Sequence, residues 1–160
     1  MRRKNILRGL LCAAVLLGAA LVGAQEVSAR ETVLIAGNAD LYPIESYDSR
    51  SDSYVGLLPE LYRRVSGCTD YDLVYLPYSK NTTQAQQAEN RQADIISAFP
   101  AGTVDSAYLR RSELFCSLPA SGKPQKICIG FASALPEAQA EEIARALDGI
   151  GAAERLGILA

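Results

Sequence analysis

Thr32-Val33-Leu34-Ile35-Ala36-Gly37 is a short apolar run, rich in branched side chains, without polar alternation and ended by glycine. A strand with water on one side alternates apolar and polar residues. An unbroken run reads instead as a strand covered on both faces, the situation of a parallel sheet between helices. Outward from it, Leu57, Leu58, Leu61, Tyr62 and Val65 fall at helical spacing, with Ser66-Gly67 as the stop. Asp72 to Pro77 reads as a second strand and Asp94 to Phe99 as a third, separated by a polar surface helix, Thr82 to Asn90, capped by Asn81 or Thr82. Val104 to Arg110 reads as a short helix, Leu114 to Leu118 and Lys126 to Phe131 as strands, and Pro136 to Leu147 as a helix with its acidic residues early, as the helix dipole favours. Strands alternating with helices predict an α/β fold of three layers, a mostly parallel sheet with helices on both faces.

Composition narrows the chemistry. The chain has 160 residues, 49% hydrophobic, with 16 Lys+Arg, 18 Asp+Glu and no histidine. One ordinary domain fits that length, and a mean hydropathy of +0.04 permits a core. Without histidine, Ser-His-Asp triads, Cys-His dyads and histidine-bearing metal sites are excluded. Nothing in the motifs positions a general acid and base, so the sequence reads as a non-enzyme with no cofactor. The charge balance gives no reason to bind nucleic acid.

Residues 1–29 have the layout of a secretory signal peptide: Arg2, Arg3, Lys4 and Arg8, then an apolar and small-residue run from Gly9 to Gly23, then small residues at Ala24 and Ala29. The run is shorter than the roughly 20 residues of a typical membrane-spanning helix, so cleavage after Ala24 or Ala29 is expected, with an uncleaved anchor as the alternative. Residues 30–160 are then an extracytoplasmic domain, periplasmic or secreted, with no membrane insertion after removal of the leader. It carries 12 Lys+Arg and 17 Asp+Glu, a net of −5. Cys68, Cys116 and Cys128 remain. Folding the segment between the last two about Gly122 sets them opposite or nearly so. Cys116–Cys128 is therefore the best disulfide pairing, with buried reduced thiols as the alternative.

The runs Ala36-Gly37-Asn38-Ala39-Asp40-Leu41-Tyr42-Pro43-Ile44-Glu45-Ser46-Tyr47, Tyr54-Val55-Gly56-Leu57-Leu58-Pro59-Glu60-Leu61, Tyr75-Leu76-Pro77-Tyr78 and Gln92-Ala93-Asp94-Ile95-Ile96-Ser97 occur in this order. Together they resemble the first lobe of an extracytoplasmic solute-binding protein of family 3, with the type II periplasmic fold. Phe115 to Pro119 resembles the exit from that lobe, and Ile127 to Leu159 the returning strand and terminal helices. The resemblance implies binding or sensing of a solute in transport or signalling, with a membrane permease or a sensor protein as partner. Two departures stand out. Only Ala120 to Gln125 lies where family members carry a second lobe, and Asp105 stands where amino-acid binders carry the arginine that grips the ligand carboxylate, so the resemblance is not taken to imply amino-acid binding here.

In open α/β sheets ligands sit beyond the carboxyl ends of the strands. That places the candidate site at Asn38, Asp40 and Tyr42 after the first strand, Tyr78 after the second, and Phe99 with Asp105 after the third. The resemblance implies an aromatic platform from Tyr42, Tyr78 and Phe99, and the two carboxylates favour a small polar or cationic solute. Packing tyrosines in a domain that binds no solute, vestigial or used for protein contacts, is the competing reading.

Overall fold

A computed structural model of the protein describes residues 29–118 and 123–159. The expected leader, apart from Ala29, and the turn about Gly122 lie outside them. Strand β1 (Glu31–Ala36) is central: it pairs in parallel with β5 (Tyr71–Tyr75), Val33 against Leu73, and with β6 (Ile95–Pro100), Ile35 against Ile95. Strand β8 (Gln125–Ala132) runs antiparallel between β6 and the edge strand β7 (Leu109–Leu118), giving the order β5-β1-β6-β8-β7. Only β8 opposes the common direction, so the sheet is mostly parallel, and the returning strand re-enters the sheet that β1 began.

The unalternating runs are explained by two hydrophobic layers. On one face Val33, Ile35, Ile95, Ile127, Ile129 and Phe131 meet Leu58, Leu61 and Val65 of α1 (Leu57–Cys68) and Ala140, Ile143 and Leu147 of α3 (Glu137–Gly149). On the other, Ala36, Ile96, Phe99 and Cys128 meet Ala88 of α2 (Gln84–Glu89). Each fully buried Val, Leu or Ile side chain contributes about 1.5–3 kcal/mol. A last helix, α4 (Ala152–Leu159), follows α3.

Three elements differ from the sequence reading. The polar stretch after β1 is a small antiparallel sheet of β2 (Asp40–Leu41), β3 (Glu45–Asp48) and β4 (Ser53–Val55), strands too short to leave a periodic signal. Of the expected helix from Val104 to Arg110 only a 3₁₀ turn, Ser106–Tyr108, forms, and Leu109 already belongs to β7. Backbone partners on β8 outweigh local preference there.

The Cys116–Cys128 bridge is the third: it is not formed, and both residues are free thiols. The hairpin brings them close, but the register shifts between Leu114 and Cys116. Leu114 therefore opposes Cys128, and Cys116 opposes Ile127. One slipped position changes faces: Cys116 packs with the α1 and α3 layer, and Cys128 with the α2 layer. Burial pushes both thiols up from their ordinary pKa.

Candidate functional site

Chain order reverses between β1 and β6, so a crevice opens at their carboxyl ends. β6 bulges there: its register against β8 shifts between Ile96 and Phe99, and Ala98 takes a φ of 45°. Carbonyls at this edge, on β1 as well as on the bulged strand, are taken by side chains. Gln84, from the first turn of α2, donates through Nε2 to the Ala36 carbonyl at 3.0 Å and to the Ser97 carbonyl. Asn38 donates through Nδ2 to the Ala98 carbonyl at 2.8 Å. α2 is held in place by a capping box in which the Thr83 hydroxyl accepts from the Gln86 amide and the Gln86 side chain accepts from the Thr83 amide.

Against this crevice lies a hollow of about 300 Å³ lined by Gly37, Asn38, Asp40, Tyr54, Tyr78, Lys80, Gln84 and Gln87, among others. Gly37 is required by close approach: a Cβ there would come within 2.5 Å of the Tyr54 ring. The tyrosines behind the wall form a continuous stack. Tyr78 lies on Tyr47 with centroids 4.1 Å apart, Tyr54 on Tyr75 at 4.5 Å, and edge contacts link Tyr47 to Tyr54 and Tyr62 to Tyr75. Burial, then the charge of Glu45, pushes the Tyr54 hydroxyl up to about 12, so it stays protonated and neutral at physiological pH.

The expected site residues separate into three places. Asp40 and Tyr78 line the hollow at the ends of β1 and β5. Tyr42 is 79% exposed and borders a different hollow of about 530 Å³ beside Glu60, Arg64 and Ile158. Phe99 is only 3% exposed, packed in the α2 layer, and with Asp105 borders a third hollow of about 380 Å³. The Asp105 carboxylate accepts from the Ala107 amide at 2.9 Å, capping the 3₁₀ turn. Tyr42, Tyr78 and Phe99 therefore do not form one platform, and Asp105 is not among the residues lining the hollow that holds Asp40.

What the sequence reading missed is the wall, Tyr54 with Gln84 and Lys80, and the group behind it, Glu45. Glu45 has no exposed surface. In sequence it stands between Ile44 and Ser46, a setting that does not reveal burial. Among the described residues no cluster of three or more His, Cys, Asp or Glu could hold a metal ion, and no helix is long and apolar enough to cross a membrane.

No protein-family model matches the chain, and no curated protein matches it. Among solved structures it is similar to the arginine-bound form of domain 1 from TmArgBP, with a TM-score of 0.58 and 16% identity, over 79% of this chain and 99% of that one. A point mutant of the same arginine-bound domain gives a TM-score of 0.58 and 16% identity over 79% and 97%. The shared feature at this identity is the fold, the α/β architecture of that single domain.

Proposed function

We propose that the protein is an exported, non-enzymatic solute-binding module, and that the hollow between the ends of β1 and β5 and the first turn of α2 takes a small cationic solute. The observation that carries this reading is the hollow's position at the carboxyl edge of the parallel strands, with Asp40 as counter-charge and the Tyr54 and Tyr78 rings as walls. Arginine bound to a lone lobe of the same fold supports it, and the leader-like residues 1–29 support an extracytoplasmic setting. Lys80 on the same rim offers a partner for a carboxylate, and Asp105, at another hollow, would not repel one. Uptake with a permease and sensing with a partner receptor both fit such a module.

A second reading, a protein-contact domain that binds no solute, draws on two exposed apolar residues of the small-sheet region, Tyr42 between β2 and β3 and Val55 at the end of β4, 79% and 37% exposed. Thermal unfolding of the full chain with arginine, spermidine, glutamate and glucose separates the two. At ten times Kd a bound solute adds about 1.4 kcal/mol, a rise of about 3–6 °C in Tm for a domain of this size. The rise should appear with arginine or spermidine and shrink in Asp40→Asn. No response to any of the four, together with self-association on sizing, favours the second reading.

A further inference from the structure

Glu45 lies behind the hollow without lining it, and every group within hydrogen-bond reach of it is a donor. The Asn38 amide donates to Oε2 at 2.5 Å, the Ser97 hydroxyl to Oε1 at 2.7 Å, and the Tyr75 hydroxyl to Oε1. Ser97 in turn accepts from the Tyr62 hydroxyl at 3.1 Å. Three converging donors fit a carboxylate. A protonated carboxyl must itself donate, and the Asn38 amide is fixed in the backbone, so a hydroxyl of Tyr75 or Ser97 has to turn away. Both routes reach the hollow: Asn38 lines it, and the Tyr75 ring is stacked on Tyr54, which lines it too.

Burial works against the anion. It is the largest influence on Glu45 and carries its pKa from 4.5 to about 7, against the lowering effect of the bonds from Tyr75, Asn38 and Ser97. The titratable groups facing it are Tyr75 from β5, Tyr62 from α1 and Tyr54 from β4, all with raised pKa values. The turn after β1 and the strand β6 contribute the Asn38 amide and the Ser97 hydroxyl. Among the described residues no cation pairs with Glu45. A chain without histidine thus carries a carboxyl that changes charge near neutrality.

We propose that Glu45 is a positioning residue for the hollow, and that its proton, by turning the Tyr75 or Ser97 hydroxyl and weakening the bond from the fixed Asn38 amide, makes the hollow hold a cationic solute tightly when Glu45 is ionised and weakly when it is neutral. The proposal rests on the solute-binding reading for its second half only. Linkage makes the effect reciprocal, so a bound cation also draws the proton off Glu45.

The test follows the Asn38 amide resonance of the full chain from pH 5 to pH 9 and measures arginine affinity at both sides of neutrality. Asn38 should titrate with a midpoint near 7, lose that titration in Glu45→Gln, and titrate at higher pH in Tyr75→Phe, which keeps the ring and removes one donor. Tyr75→Phe carries the test if Glu45→Gln does not fold. Arginine should bind about tenfold more weakly at pH 6 than at pH 8. A flat Asn38 resonance, or a midpoint unmoved by Tyr75→Phe, overturns the positioning role whatever binds. Arginine bound equally at both pH values overturns the coupling. A titrating Asn38 with no arginine binding supports the positioning role and overturns the proposed solute instead.

Discussion

Arg91 shows how a single residue can carry avoidable strain. It follows α2 with a φ of 54°, its amide bonded to the Ala88 carbonyl at 3.0 Å and the Gln92 amide to the Gln87 carbonyl at 2.9 Å. That is a Schellman end, whose left-handed position favours glycine. Side chains other than glycine lose about 1–2 kcal/mol in that conformation, part of which glycine returns through its freer unfolded chain. Arg91→Gly should therefore gain about 0.5–1 kcal/mol, read as a higher urea midpoint with an unchanged m-value. Gly56 is the opposite case. Its φ of 124° and ψ of −163° at the start of α1 lie in a region essentially reserved for glycine, and a Cβ would stand 2.8 Å from the Pro43 and Ile44 carbonyl oxygens. Gly56→Ala should cost about 2 kcal/mol or more in chemical unfolding.

Arg155 ties elements together. From α4 its Nε donates to the Ile150 carbonyl at 2.9 Å and its Nη2 to the Leu147 carbonyl at 2.6 Å, closing the end of α3, while its guanidinium lies 5.7 Å from the Phe115 ring of β7. Orphan carbonyls at a helix end and an aromatic face both suit a cation. Arg155→Ala should lose about 1–2 kcal/mol, and Arg155→Lys should recover only part, because the planar fork that reaches two carbonyls is gone. The β7–β8 hairpin makes a different demand. With Cys116 and Cys128 on opposite faces, air oxidation should leave both open to alkylation after unfolding, as peptide mass spectrometry of non-reduced protein would show. A Cys116–Cys128 peptide in that digest would mean that the register shift at Leu114 is absent in solution.

For the whole molecule, Glu45 sets the sign of the pH response. Its folded pKa of about 7 lies above the ordinary 4.5, so between those values the folded chain binds the extra proton. The corresponding stability is complete below 4.5, is lost as pH rises through 7, and amounts to about 3 kcal/mol. Glu60 acts the other way. Held at about 2, chiefly by its bond to Arg63, it loses its contribution only as pH falls below the ordinary carboxylate range. Urea unfolding should therefore show stability falling between pH 5 and pH 8, with the slope removed in Glu45→Gln. The layered sheet was legible in sequence because burial on both faces leaves mainly apolar runs without polar alternation at Thr32 to Gly37, Asp94 to Phe99 and Lys126 to Phe131, and a run of this kind needs no knowledge of its partner. Of the residues lining the proposed site, Asn38, Asp40 and Tyr78 could be named from sequence because strand ends are local features. Tyr54, Gln84 and Glu45 were not, since their places depend on contacts with residues up to 52 positions away, such as Ser97 with Glu45. The sequence by itself determined the layers and the edge of the sheet where the candidate site was placed. Only the tertiary structure decided which side chains meet there, which face each cysteine takes, and that a carboxyl is buried among donors, because register shifts and long-range hydrogen bonds leave no periodicity in the chain.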